Sequence, residues 1–333
     1  MAYPTQMTRY SLSLIFAWAL AIAGPLATGH ALAAPPACVV PGHWQVPGGP
    51  VIPRQAALAQ AQRATVVLLG EQHTDADHHQ WQLETLAALH GANRSLVLAL
   101  EMFPRELQPV LEDWIAGRLD EPTFLERTDW KRTWGTDPEL YMPIFRYARD
   151  HAVPMRAVNI PRTVSRAVAR EGWQALPAEL AAELGTPAAP TEGYLADLRE
   201  TFAAHAAHVP NHDPSDDAFR RFVDAQLLWD RAMAAGIQQA ATNTQVVALM
   251  GSGHIRHGFG VPHQLRDLAI EGVFTLIPWS REDDCDELRS GYADIVVGTG
   301  QRGPSPHPPS GLQPGQLRAG PLPGSASSAA ARG

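Results

Sequence analysis

Apolar and β-branched residues gather into five short runs, at 64–69, 95–100, 153–158, 245–250 and 272–277, each bounded by turn-forming or polar residues. Runs of this kind predict buried strands. A sixth run, at 294–297, predicts an added strand at a sheet edge. Between the runs the apolar spacing becomes helical, over 78–89, 105–116, 141–150, a long mostly helical stretch from 162 to about 236, and 262–270. Strands alternating with helices predict an α/β fold, a mostly parallel sheet with helices on both faces.

The residues that follow the strands carry the chemistry. Gly70-Glu71-Gln72-His73 follows the first, Glu101 the second, Asn159 the third, and Gly251-Ser252-Gly253-His254 the fourth. Ligands of open parallel sheets bind outside the carboxyl ends of the strands. One His after a strand is ordinarily a cap or turn residue; polar groups delivered to one edge by four strands predict a site there. Gly70 and Gly251 sit where the chain must turn sharply, and are expected to supply backbone angles that other residues resist.

A second polar intrusion lies in FRRFVDAQLLWDRAMAAG, 219–236. At helical spacing Phe219, Phe222, Val223, Trp229 and Met233 share a face, and Arg220, Arg221, Asp224 and Arg231 fall opposite. Gln226 and Asp230, four residues apart, sit within the apolar face. A carboxylate there requires a partner or a bound group. The alternatives are a structural pairing, with an arginine such as Arg162, or a direct place in the site. His205, His208 and His212 form a further candidate cluster, balanced against a solvated helix end. His257 and His263 are candidates to support the second GxxH. The aromatic stretch 130–147, with Trp130, Trp134, Tyr141 and Tyr147, reads as core whose loop part could wall a pocket.

The ends of the chain read differently. Residues 1–34 carry one charge, Arg9, then an apolar run and a small-x-small ending at Ala34, the pattern of a secretory signal peptide. Gly24-Pro25 interrupts the run, which disfavours a membrane span. Pro35-Pro36-Ala37-Cys38 is a poor lipidation signal, so lipid anchoring at Cys38 is not favoured. Export permits a Cys38–Cys285 disulfide. From 300 to 333 Gly, Pro, Ser and Ala dominate, as in a disordered tail, leaving a globular part at about 40–299. With Lys+Arg 26 against Asp+Glu 34, and a net charge of −8, no polybasic surface for nucleic acid is expected. Two cysteines exclude a disulfide-dense scaffold and a CxxC zinc module.

GEQHTD at 70–75, LALEMFP at 98–104, AVNIPR at 157–162, AQLLWDRAMA at 225–234 and MGSGHIRHGFGVP at 250–262 together resemble the ChaN-like haem-binding uptake family. That family lies in the superfamily of Tiki proteases, TraB proteins and erythromycin esterases. The resemblance implies an α/β fold with an inserted helical region, here about 162–236, acting as a lid. It also implies export to the periplasm or beyond, haem binding for iron uptake, an outer-membrane haem receptor as partner, and a homodimer. The superfamily's polar centre maps to His73, His254 and Glu101, with Glu71 beside the first. The implied haem ligand is a tyrosine. Among Tyr141, Tyr147, Tyr194 and Tyr292, Tyr194 ranks first and Tyr141 second.

Two readings follow. In one, haem lies in a pocket at the carboxyl edge of the sheet, bound through Tyr194 or Tyr141, with His73, His254, Glu71, Asn159, Gln226 and Asp230 lining it. In the other, the chain is a hydrolase. His73, His254 and Glu101 then hold a divalent metal such as zinc or manganese. Otherwise one histidine serves as general base, steered by Glu101 or Glu71, while Asn159 holds the oxyanion.

Overall fold

A computed structural model describes residues 38–300, apart from 94, 207–213 and 282. The expected signal peptide at 1–34 and the tail beyond Gly300 lie outside the described residues, as do His208, His212 and the side chain of His205. The chain opens with β1 (Trp44–Gln45), β2 (Val51–Ile52), α1 (Arg54–Ala61), β3 (Val66–Leu69), α2 (Ala76–Ala92) and β4 (Leu96–Pro104). It continues through α3 (Gln108–Ile115), α4 (Glu121–Arg127), α5 (Trp130–Thr133), α6 (Met142–Asp150), β5 (Met155–Asn159), α7 (Arg162–Glu171), α8 (Ala178–Leu184) and α9 (Glu192–Ala206). It ends with α10 (Asp216–Ala240), β6 (Gln245–Leu249), α11 (Gly260–Asp267), β7 (Val273–Trp279) and β8 (Ile295–Gly298).

The strands form one sheet in the order β2-β1-β8-β7-β3-β6-β4-β5. From β8 to β5 all pairings are parallel, whereas β1 pairs antiparallel with both β2 and β8. This is the α/β, mostly parallel architecture expected from the alternation of runs. The run at 294–297 does not end the sheet: the β1–β2 hairpin lies beyond it, through strands of two residues each, too short to leave a periodic signal.

Alternate residues of the central strands face opposite layers, as the pleat requires. Val67, Leu69, Leu98, Leu100, Val247 and Leu249 pack in one core cluster, together with residues of α1 to α6. Val66, Leu68, Ala99, Val246, Ala248 and Met250 pack in another, with α10 and α11. The inserted region has its own clusters, in which α9 meets the first half of α10 through Tyr194, Leu198, Phe202 and Phe222.

Helix α10 is enclosed on more sides than its periodicity predicts. Arg231, expected opposite the apolar face, is buried: its Nη1 lies 2.6 Å from Asp267 Oδ2, and its Nε donates to the Leu184 carbonyl at 2.7 Å. Helices α8 and α11 cover that face, which a single helical wheel cannot reveal.

Leu249, fully buried in β6 between β3 and β4, tests this layering. Leu249→Ala should destabilise by about 2–5 kcal/mol. Alanine at Arg132, whose side chain is 86% exposed, should stay within about 0.5 kcal/mol. Urea unfolding followed by far-UV circular dichroism measures both.

Candidate functional site at the carboxyl edge of the sheet

Strands β3, β4, β5 and β6 deliver their polar residues to one edge, and the connections are tightly built. The loop after β3 is fastened by Asp75, whose Oδ1 accepts from the Asp77 and His78 amides at the start of α2. The Gln72 amide donates to His78 Nδ1 at 2.9 Å. Neither Gly70 nor Gly251 adopts a positive φ, contrary to the turn role expected for them. Gly70 is crowded instead. A Cβ there would stand 2.7 Å from Ser252 Oγ and 3.3 Å from Ile255 Cδ1, so a side chain at residue 70 would displace Ser252 in the loop after β6. Gly260, at φ +51°, allows a similar approach, since a Cβ would lie 2.4 Å from the His254 carbonyl oxygen.

Two arms of the same composition result, each a tyrosine, a buried carboxylate and a histidine. In the first, Glu71 is fully buried. Its Oε1 accepts from the Tyr141 hydroxyl at 2.5 Å and pairs with His73 Nδ1 at 2.7 Å; its Oε2 lies 3.4 Å from His79 Nδ1. Burial pushes the Glu71 carboxyl up, but His79, His73 and Tyr141 outweigh it and bring it down to about 2. The His73 ring lies against Trp134 at 4.5 Å.

In the second arm Asp230 is fully buried. Its Oδ1 pairs with His254 Nδ1 at 2.7 Å, and its Oδ2 accepts from the Tyr194 hydroxyl at 2.5 Å. Asp230 therefore pairs with His254 and Tyr194, while Arg162 turns to the Trp134 carbonyl. Burial works against a charged His254, but the carboxylates of Glu101 and Asp230 reverse that and raise it to about 9. Both phenols, Tyr141 and Tyr194, are pushed well above the ordinary tyrosine value by burial and then by the carboxylate each meets.

Glu101 stands between the arms. It lies within β4, which runs on to Pro104, where its pairing with β6 has already ended at Leu100. Its Oε1 is 3.5 Å from His254 Nε2 and its Oε2 accepts from the Gly251 amide at 2.7 Å. Asn159 Nδ2 donates to the Glu101 carbonyl at 2.8 Å, holding the strand rather than opening into the site. His73 is raised despite burial, by Glu71 and Glu101, and is opposed by His254, so the two imidazoles sense each other. With its Nδ1 on a carboxylate, His73 has Nε2 as its remaining group, whereas His254 turns its Nε2 toward Glu101. That geometry suits proton transfer, or holding an anion while the rings are cationic. Among the described residues no three His, Cys, Asp or Glu side chains are grouped as the ligands of a metal ion.

A cavity of about 310 Å³ opens beside the second arm. Tyr194, Gln226 and His254 line it, with Asp197 of α9, Arg256, and Trp279 and Tyr292 from β7 and the segment after it. Arg256 Nη2 is 2.7 Å from Asp197 Oδ1. Sequence reasoning assigned no role to Arg256 or Asp197, nor to His79, whose spacing marks only a helix. Tyr292 lies outside every motif; its hydroxyl makes no hydrogen bond among the described residues, whereas those of Tyr141, Tyr147 and Tyr194 are hydrogen-bonded. Of the other histidines, His257 packs on Tyr292, with ring centroids 4.9 Å apart, and His263 turns to the Ala189 carbonyl.

An α/β sheet with paired imidazoles and carboxylates at its carboxyl edge defines the general class. The family described as haem-binding uptake, Tiki superfamily, ChaN matches residues 57–265, more than half of the chain, and the protein belongs to that family. A solved structure described as cofacial heme binding to ChaN of Campylobacter jejuni shares the fold, with a TM-score of 0.62 at 18% identity over 76% of this chain and 95% of that one. An erythromycin esterase, EreC, aligns more loosely, with a TM-score of 0.40 at 13% identity over 71% of this chain and 68% of that one. A curated relative, RETICULATA-RELATED 5 of Arabidopsis thaliana, chloroplastic, is 27% identical over 59% of this chain. The match spans 28% of that relative's length.

The raised His254 gives the fold a defined pH dependence. A group raised from 6.5 to about 9 on folding contributes stability that is complete below its unfolded value and is lost as pH rises through about 9. Wild-type Tm should therefore fall between neutral pH and about pH 10. His254→Gln should be less stable at neutral pH and should show a flatter decline. Parallel slopes for the two proteins in thermal melts would refute this assignment.

Proposed function

We propose that this chain is an exported haem-binding protein of haem and iron uptake, which takes haem as cargo in the cavity at the carboxyl edge of the sheet. The observation that carries the proposal is the make-up of that cavity in a member of this family. Tyr292, buried, has a hydroxyl that makes no hydrogen bond among the described residues; burial pushes it up to about 12, and a phenolate, formed on meeting a ferric iron, suits haem. Arg256 supplies a guanidinium suited to a carboxylate such as a propionate. Trp279 supplies an aromatic wall. Four acids line the cavity: Asp197 pairs with Arg256, Asp283 Oδ2 accepts from the Ser280 amide, Asp284 Oδ1 accepts from the Asp286 amide, and Glu287 is the fourth. A phenol, a guanidinium and an aromatic wall fit haem; a propionate would share Arg256 with Asp197.

Tyr194 also lines the cavity and remains an iron-ligand candidate, at the expense of its bond to Asp230. Tyr141 would have to leave Glu71. Within this reading His254 and Gln226 line the cavity and Asp230 holds His254 and Tyr194 in place behind it, while His73, Glu71 and Asn159, expected to line the pocket, lie outside the cavity lining. Helix α9 serves as the lid, latched by Asp197 to Arg256. The signal peptide at 1–34, the periplasmic or secreted location without a lipid on Cys38, the outer-membrane receptor and the homodimer belong to the same proposal, as does the division into leader, domain and tail. No described helix is long and apolar enough to cross a membrane.

A second reading has its own support. Each imidazole is oriented by a buried carboxylate through Nδ1, the arrangement used to prepare a histidine as a base or as a metal ligand. A hydrolase using His73, His254 and Glu101, with zinc or manganese or without metal, would draw on it.

Hemin titration followed at the Soret band separates the two. A saturable shift at low micromolar hemin is expected in the wild type, weakened by about tenfold or more in whichever of Tyr292→Phe and Tyr194→Phe removes the ligand. Tyr141→Phe should bind as the wild type does. The absence of a saturable shift sinks the haem reading. Stoichiometric zinc or manganese lost in His73→Ala and His254→Ala would then favour the hydrolase.

A further inference from the structure

The outer wall of the cavity is an unusual piece of chain. Strands β7 and β8 are parallel neighbours, and such neighbours are ordinarily joined by a packed helix. Here the described residues of the connection from Ser280 to Asp294 contain a single 3₁₀ turn, Cys285–Glu287, and most of them are exposed. It nonetheless supplies Asp283, Asp284, Glu287 and Tyr292 to the cavity. Leu288, Tyr292 and Ala293 pack on the core cluster beside β7, and Asp294 accepts from the Thr275 amide and hydroxyl, but the exposed middle, 284–287, is held from outside.

The holder is a disulfide. Cys285 is bonded to Cys38, 247 residues earlier, just before the buried Val39 and strand β1, which pairs with β8. Trp279, the last residue of β7, donates from Nε1 to Cys38 Sγ at 3.3 Å, and its ring meets Tyr292 at 5.1 Å. Bridge, Trp279 and Tyr292 thus form a continuous path into the cavity. Cys285 is exposed, so an external thiol can reach the bridge.

We propose that the Cys38–Cys285 bridge is a redox-controlled latch on the cavity wall: oxidised, it keeps the 280–294 segment in its ligand-binding position, and reduced, it lets the wall open and the ligand leave. The reductant is a dithiol. Its thiolate attacks one sulfur, the Cys38–Cys285 bond breaks, and the donor leaves as its own disulfide. Two electrons and two protons end on the thiols of Cys38 and Cys285. An oxidising compartment favours the closed wall. The affinity arm below rests on the haem reading; the wall itself does not.

Hydrogen exchange by mass spectrometry reads the wall without any ligand. Exchange over 281–292 should rise by about tenfold or more on mild reduction of the folded protein, while β3 and β6 keep their protection. The Cys38→Ser/Cys285→Ser double variant should show the same pattern and avoids contact of a reductant with ferric iron. In that variant hemin affinity should fall by about tenfold or more. Unchanged exchange over 281–292 overturns the latch, as does raised exchange with unchanged hemin affinity. If the double variant fails to fold, reduction of the preformed native protein decides the question. If the oxidised wild type takes up no hemin, the haem reading fails and the exchange data alone judge the wall.

Discussion

Three carboxylates, those of Glu71, Glu101 and Asp230, are held out of water at the carboxyl edge of the sheet. An uncompensated carboxylate in such a place costs several kcal/mol. Every notable feature of the edge is a means of meeting that cost. His73 and His254 supply imidazole nitrogens, Tyr141 and Tyr194 supply hydroxyl donors, and the Gly251 amide closes Glu101. The pattern is repeated because the problem is: Glu71 and Asp230 each receive a phenol and a close imidazole contact, and Glu71 a second imidazole, that of His79.

This constraint spreads outward through the fold. Asp230 can reach His254 only because α10 lies across one face of the sheet, and Tyr194 can reach Asp230 only because α9 lies on α10. Tyr141 reaches Glu71 from the opposite layer, just before α6. The site therefore fastens the inserted helices and the first layer of helices to one edge, and both layers would be disturbed by neutralising it. Gly70 and Gly260 enter as clearances, allowing loops and backbone to approach closely enough for these bonds to form.

The cavity differs in kind from the polar edge beside it. One side is His254 and Tyr194, rigidly bonded. The other is the helix-poor segment after β7, tied back by a disulfide to the start of the domain. A rigid wall facing a tethered one is an arrangement suited to accepting and releasing a cargo, whereas the two oriented imidazoles are suited to proton transfer. Both capacities are present in the same few strand ends, which is why membership of a haem-binding family and the bare geometry of the histidines suggest different chemistry.

Short-range patterns were enough to read the five buried strands, a sixth run taken for an edge, the alternation with helices, the four polar strand ends and the misplaced Asp230. Each is a local consequence of which residues avoid water, and local patterns survive in a linear chain. Partner choice is different. That Asp230 meets His254 and Tyr194 and not Arg162, that Arg231 is buried, and that Glu101 lies inside its strand all depend on which helix covers which face. The two-residue strands β1 and β2 were invisible for a related reason, since nothing in so short a run is periodic. Tyr292 joins the cavity only because the β7–β8 connection folds back beside His254, and the cysteines, 247 residues apart, become a bridge only once β1 lies against β8. Those facts were left to the tertiary structure because they are distances between segments, and residue spacing along a chain fixes no such distance until the layers have packed.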